Sequence, residues 1–395
     1  MWQKNVRYLD YNATSGVSPR VKEKLIELLG REELLANPSS RHRLGQGVQH
    51  LLYEAQIRVS CSLGADVKTD DIVFTASGTE SNQTVLRSLA RTCDGMILGS
   101  GEHSASYDLL SEFKLPFVQE LPLSPSGQYD LSALSNCLKD AKEKGCSKIG
   151  LSLFWANNET GVLTDLSKLK SVIDDSGLTV LLHLDGAQVW GKLAFDVKNT
   201  PAAFITFSSH KIGAPAGVGV IWIRPDSEFH PLIPGTQAKS RRGGTENILG
   251  IVAVGEAAIN LDPEKFIAHT SRLRDQLEEG LLKLSHPITI WGSESSRVSN
   301  TTRFSFRDFK TYENWVELLD LKGFAVSHGS ACKARVIEPS RVLLKMGVDR
   351  NDALNSIRIS FGPSNTVEDV SAFLETLEQV ILRKKENSNR IGKNA

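Results

Sequence analysis

Cysteine is scarce in this chain of 395 residues: Cys61, Cys93, Cys137, Cys146 and Cys332, an odd number with no CxxC pair. That argues against a disulfide framework and against a zinc ribbon, and a reducing compartment such as the cytoplasm fits best. No metal-ligand set is expected. Net charge is missing too. Lys plus Arg and Asp plus Glu number 46 each, so overall charge gives no case for nucleic acid or an anionic membrane as the main partner. No run of about 18 apolar residues occurs, and no transmembrane helix is expected. The opening MWQKNVRYLDYNATSG lacks the apolar segment of a secretory signal. GxGxxG, Walker A and HExxH motifs are absent, which weakens dinucleotide, P-loop and zinc-protease readings. There is no internal repeat and no low-complexity linker.

What is present is a series of short apolar runs alternating with helical patterns. DIVFTASG (71–78), GMILGS (95–100), KIGLSLFWA (148–156), LTVLLHLD (178–185) and AFITFSS (203–209) read as strands, and ESNQTVLRSLART (80–92) as a helix. The strands are rich in Ile, Leu, Val and Phe without clean polar alternation, the pattern of a mostly parallel sheet covered on both faces. The repeated order implies an open α/β fold. GVGVIWIRP (217–225) follows after a short Gly/Pro loop and reads as an antiparallel addition. After about residue 258 the character changes. A long amphipathic helix (264–285), a strand (297–308), a strand SIRISFG (356–362) and a last helix (367–385) suggest a smaller α+β domain. The polar end RKKENSNRIGKNA reads as a fraying terminus or a docking tail.

In an open α/β sheet, ligands bind beyond the carboxyl ends of the strands. Those ends carry Ser77–Glu80, Glu102-His103, Asn157–Glu159, Asp185–Gln188 and Ser208–Lys211. A lysine just past one strand and a carboxylate ending the preceding one form the pair that pyridoxal phosphate requires. The lysine would carry the cofactor as an imine and the acid would keep the pyridine nitrogen protonated. Taken singly, Lys211 reads equally as a surface lysine and Asp185 as a helix cap. SGTES (77–81) opens a helix whose N–H groups and Thr79 hydroxyl suit a phosphate, or a simple cap. Cys332, in AVSHGSACKAR (325–335), follows loop-forming Gly329 and Ser330 and adjoins Lys333 and Arg335. By itself it reads either as a buried structural thiol or as a nucleophile with a lowered pKa.

YLDYNATSGVSP (8–19), NPSSRH (37–42), SGTESN (77–82), EHSA (102–105), NNETG (157–161), HLDGAQVWGK (183–192), SSHKIGAPAGVG (208–219), RGGTEN (242–247), SHGSAC (327–332) and SIRISFG (356–362) occur in that order. The series resembles that of the cysteine desulfurases, pyridoxal-phosphate enzymes of fold type I in the class V aminotransferase family. SHGSAC followed by EPS (338–340) resembles the branch whose cysteine sits on a long mobile loop. The resemblance implies a large cofactor-binding domain, 17–258, with a mostly parallel seven-stranded sheet. It implies a small domain, 1–16 with 259–395, that bears the catalytic cysteine. Lys211 would carry the cofactor, Asp185 would bond its pyridine nitrogen and Gln188 its phenolic oxygen. His103 would stack on the ring and move protons. Gly78, Thr79, Ser208 and His210 would hold the phosphate. Thr245 would reach the phosphate of the partner subunit, making the active unit a homodimer. Asn158 would lie beside cofactor and substrate, Arg358 would clamp the substrate carboxylate, and Cys332 would accept the sulfur.

The implied reaction converts L-cysteine to L-alanine and leaves a persulfide on Cys332 for an acceptor protein, in iron–sulfur assembly or thio-modification. A selenocysteine lyase or small-amino-acid aminotransferase of the same family is the alternative; a non-enzymatic scaffold is disfavoured because the catalytic positions are filled. Two departures stand out. His328 replaces a serine usual in the family, and reads as a tuner of the thiol or as a neutral loop residue. Ala238 and Lys239 replace an acid and an arginine in GTQAKSRRGGT (235–245). The C-terminal extension that some members use to dock a scaffold protein is not expected here.

Overall fold

A computed structural model describes residues 6–31, 34, 36–68, 70–307, 314–328 and 338–393. Twelve strands occur among them in chain order. They are β1 (Arg7–Tyr8), β2 (Asp71–Thr75), β3 (Gly95–Gly99), β4 (Phe117–Leu121), β5 (Lys148–Phe154) and β6 (Thr179–Asp185). They continue with β7 (Phe204–Ser208), β8 (Gly219–Ile223), β9 (Ile288–Trp291), β10 (Thr301–Phe306), β11 (Phe324–Ala325) and β12 (Ser356–Ser360). Seven form one sheet in the order β2-β8-β7-β6-β5-β3-β4. Every neighbouring pair in it is parallel except those made by β8, which lies antiparallel to both β2 and β7. The late strand read as an addition is therefore inserted within the sheet.

Both faces of this sheet are covered, which explains the unbroken apolar runs. Side chains alternate faces along a strand. On β7, Ile205 and Phe207 join one hydrophobic cluster with Leu182, Leu184 and Val220, while Phe204 joins another with Val85, Leu89 and Ile221. All are essentially inaccessible to solvent, each worth about 1.5–3 kcal/mol of transfer free energy. The helix after β2 spans Gly78–Thr92, starting two residues before the position read from periodicity, because Ser77 caps it by accepting from the Glu80 N–H at 3.1 Å. Gly78 is required by close approach. A Cβ there would lie 3.1 Å from the Ser208 Cβ, so the helix start is pressed against the end of β7.

A second sheet, β12-β10-β9, is antiparallel, and β1 pairs with β11 in parallel. Leu273, Leu277 and Leu281 of the helix Pro263–Leu281 pack here with Phe304, Ile357 and Phe373. The last helix runs from Val367 to Lys393. Its helical backbone runs past the 367–385 read from the sequence, where a fraying end was expected. Among the described residues no helix is long and apolar enough to cross a membrane.

Candidate active site

The parallel strands end on one edge of the large sheet, and a cavity of about 450 Å³ opens there. Its walls bring together Gly78, Thr79, His103, Asn158, Asp185, Gln188, Ser208, His210, Lys211 and Arg358, positions that span most of the chain. Thr245 is not among them. It lines an adjoining cavity of about 300 Å³ with Asp71, Lys239, Arg241 and Arg242, and Gly217 borders both. Cys332, with Gly329, Ser330, Lys333 and Arg335, lies outside the described residues. The chain leads toward it from Ser327, which lines the cavity and is bridged to Arg358 through both main chains.

Lys211 follows β7 in a short 3-10 turn. Its Nζ donates to the main-chain oxygens of Asn12 and of Ala13, the latter at 2.7 Å. Burial, reinforced by the Arg358 charge, pulls its ammonium down to about 8, so an appreciable fraction is free amine near neutrality. Asp185 ends β6. Its Oδ2 accepts from Asn82 Nδ2 at 2.7 Å and its Oδ1 from the Ala187 N–H at 3.0 Å. Asn82 is held in turn by the Thr206 hydroxyl, and Thr206 by His183 Nε2 at 3.0 Å. His183 also meets Ser152 Oγ at 2.9 Å, and burial lowers it to about 4, so it is neutral.

His103 caps a short helix, its Nδ1 accepting from the Ala105 N–H at 3.2 Å. The ring proton therefore sits on Nε2. Solvent reaches the ring through the cavity, yet the packed walls lower its pKa. His210 is lowered to about 4 by burial and by Lys211, and its Nδ1 meets Thr14 Oγ1 at 3.0 Å. Behind His103, Glu102 is fully buried. Burial and the Asp185 charge push it up to about 8, so it is protonated at neutral pH. Its Oε1 accepts from the Tyr129 hydroxyl at 2.6 Å.

Arg358, on β12, is 3% exposed. It donates to Asp10 Oδ1 at 2.5 Å and to the Asn158 main-chain oxygen at 3.0 Å, and its Nε finds no partner among the described residues. A buried donor left open beside a cavity suits an incoming anion. His328, the first departure, is partly buried. Its Nδ1 donates to the Ser356 main-chain oxygen at 3.1 Å, its own carbonyl accepts from Arg303, and burial lowers its pKa. It is a neutral, anchored residue. At the second departure Ala238, Lys239 and Ser240 all take positive φ, between 46° and 62°. Lys239 and Arg241 converge there on Asp71, at 3.0 and 2.9 Å.

The donor set fits pyridoxal phosphate. A depressed amine and a fixed carboxylate line the same cavity. The start of a helix, which offers unpaired N–H groups, meets Ser208 at the place where Gly78 leaves room. Sequence reading gave no role to Asp10, Asn12, Asn82, Glu102 or Lys192, although each lies inside a quoted motif. Their signal was only a place at or near the strand ends, shared with many polar residues. Of the four described cysteines Cys61 is exposed, and burial raises Cys93, Cys137 and Cys146.

The aminotransferase class-V family model matches residues 7–373. Among curated relatives, the cysteine desulfurase of Gluconacetobacter diazotrophicus is 33% identical over 97% of this chain and 95% of its own. Cysteine desulfurase NifS of Azotobacter vinelandii is 32% identical over 95% and 92%. Among solved structures, a NifS-like protein from Rickettsia africae superposes with a TM-score of 0.85 at 30% identity, covering 95% of this chain and 99% of that one. SspA in complex with cysteine gives a TM-score of 0.75 at 25% identity, over 91% and 100%.

Proposed function

The chain belongs to the aminotransferase class-V family, among its cysteine desulfurases, and from that premise we propose that it converts L-cysteine to L-alanine, with the sulfur left on Cys332 as a persulfide. The observation that carries this reading is the single cavity in which Lys211, Asp185, His103 and Arg358 meet. SspA, a similar fold, was solved with cysteine bound, which supports a cysteine-sized guest. Pyridoxal phosphate would be held by Lys211, Asp185, Gln188, Gly78, Thr79, Ser208 and His210, with Asn158 beside it. When bound, it supplies an electron sink conjugated to the substrate Cα.

This chain's own residues supply the rest. Arg358 binds the substrate carboxylate in place of, or alongside, Asp10. Lys211, easily deprotonated, takes and returns the proton at Cα. His103 presents its Nε2–H into the same space. The Cys332 thiolate attacks the substrate Sγ. An S–S bond forms, the Cβ–S bond breaks, and the electron pair stays on Cβ, which is protonated to give alanine. Cys332 follows Ser327 by five positions, a span of at most about 17 Å, and Ser327 itself lines the cavity. Thr245 would complete the phosphate site of a second copy, making the active unit a homodimer. The large domain would be 17–258, and 1–16 with 259–395 the small one. The sulfur would pass to an acceptor protein in the cytoplasm.

The test is the holoenzyme with L-cysteine, followed by alanine release and peptide mass spectrometry. Cys332→Ala should keep the cofactor and lose the persulfide; turnover at the wild-type rate removes Cys332 from the reaction. Lys211→Ala should lose covalent attachment, and a borohydride-reduced adduct mapped to another lysine reassigns that residue.

A further inference from the structure

Lys192 is a buried base that the reaction above does not use. It closes the stretch HLDGAQVWGK and is 3% exposed. Its Nζ donates to Asn12 Oδ1 at 2.7 Å and to Gln188 Oε1 at 2.5 Å, both neutral acceptors. The charges that bear on it belong to Lys211 and Arg358, both positive. An ammonium held there is costly, so a residue of this kind calls for a reason.

The reason lies in the amide it touches. A glutamine amide has nearly the same shape either way round, and its hydrogen bonds decide which end faces where. Gln188 Nε2 donates at 3.0 Å to the main-chain oxygen of Asn12, the same oxygen that receives Lys211 Nζ. The N–H₂ end of Gln188 therefore lies on the Lys211 side of the cavity. Its Oε1 is drawn the other way by Lys192. Asn12 cannot swap ends to relieve this. Its Nδ2 donates to Thr301 Oγ1 at 2.8 Å and to the Asn158 main-chain oxygen at 3.2 Å, while Oδ1 receives Lys192 and Asn300 Nδ2.

We infer that Lys192 is a positioning residue: by holding Gln188 Oε1 away from the cavity, it commits the Gln188 amide to donate toward the phenolic oxygen of the bound cofactor. This rests on the reading that Lys211 carries pyridoxal phosphate and that Gln188 faces its phenolic oxygen. A donor at that oxygen draws electron density from the adjacent Lys211 nitrogen and lowers the pH at which the nitrogen gives up its proton. Without Lys192 the amide can turn its oxygen inward, and that pH rises. The other groups facing the nitrogen, Arg358, Asp10, Asp185 and His103, stay in place.

The experiment is a pH titration of the holoenzyme's visible absorption band, which reads that proton without turnover. Lys192→Met should raise the midpoint by about one pH unit, the size of one hydrogen bond to a charged partner. Gln188→Leu should raise it similarly, and adding Lys192→Met to Gln188→Leu should raise it no further. A midpoint unchanged by Lys192→Met but moved by Gln188→Leu overturns the inference and leaves the cofactor reading standing. An equal additional shift in the double variant also overturns it, because Lys192 would then act by its own charge. If neither single variant moves the midpoint, the placement of Gln188 falls, and the inference with it. Should Lys192→Met fail to fold, Lys192→Leu, which also lacks a donor, carries the same expectation, and an unmoved midpoint there is equally decisive.

Discussion

Two buried basic side chains, Lys192 beside Gln188 and Arg303 opposite Arg358 in the β10–β12 register, meet different fates. Among the described residues Lys192 donates to the amide oxygens of Asn12 and Gln188, and burial drives its pKa well below the ordinary lysine value. Arg303, on β10, is completely inaccessible, yet burial brings it only to about 10, and it remains a cation. Arginine starts about two units above lysine, and Glu159 offsets part of the burial cost: its Oε2 lies 3.8 Å from the Arg303 guanidinium. Arg303 also donates to Ser356 Oγ at 2.6 Å and to the His328 carbonyl, while Glu159 accepts from Ser340 Oγ at 2.5 Å. The pair thus grips the chain on both sides of the segment that carries Cys332. Burial beside neutral acceptors depresses a base, and a nearby carboxylate offsets part of that depression. Around the cavity Lys211, His183 and Glu102 are each shifted toward the uncharged form, chiefly by burial.

The largest break in this comparison is expected from Glu159→Ala. It strands the Arg303 charge and should cost about 3–5 kcal/mol in urea unfolding. Adding Arg303→Met should recover at least half of that loss, because the stranded charge goes with it. A Glu159→Ala protein as stable as the parent would mean the ion pair is idle.

Next is Glu102→Gln, which removes a buried titration. The carboxyl is raised when folded, so the native state holds a proton that the unfolded chain releases between about pH 4.5 and 8. Stability from this group is therefore full at low pH and lost as pH rises toward the folded value of about 8. Glu102→Gln should be near neutral at pH 4.5 and gain about 4 kcal/mol over the parent at pH 8, read as unfolding midpoints at the two pH values. Equal effects at both would show that Glu102 is ionised in the fold.

The smallest effect concerns His183, with the opposite sign. Its folded pKa of about 4 lies below the unfolded value, so the unfolded state binds more protons and stability falls as pH drops from about 6.5 toward 4. His183→Gln keeps a hydrogen-bonding end but cannot charge. It should flatten that decline by about 2 kcal/mol at pH 5. His103, His210 and His328 shift the same way, so part of the slope survives. A slope unchanged by the substitution would place His183's proton uptake elsewhere.

Much of the fold was legible because both faces of the large sheet are covered, which writes itself as continuous apolar runs at 95–99, 148–154 and 204–208. β4 escaped because its middle, Val118 to Glu120, is partly exposed and polar. β9 escaped because it is only four residues long and partly exposed throughout. Lys211 and Asp185 were legible because each closes an apolar strand with a residue that no core would choose. Asn12 and Lys192 were not, because what matters is their hydrogen bond across 180 positions of sequence.

The order of residue types along the chain therefore determined the layered α/β architecture, the family, and the side chains available at one sheet edge, since burial and strand period act locally. Only the tertiary structure decided which of those side chains carry charge. A proton's residence depends on burial and on the charges that distant segments deliver: Lys211 and Glu102 are shifted toward their uncharged forms by surroundings that their neighbours in sequence do not foretell.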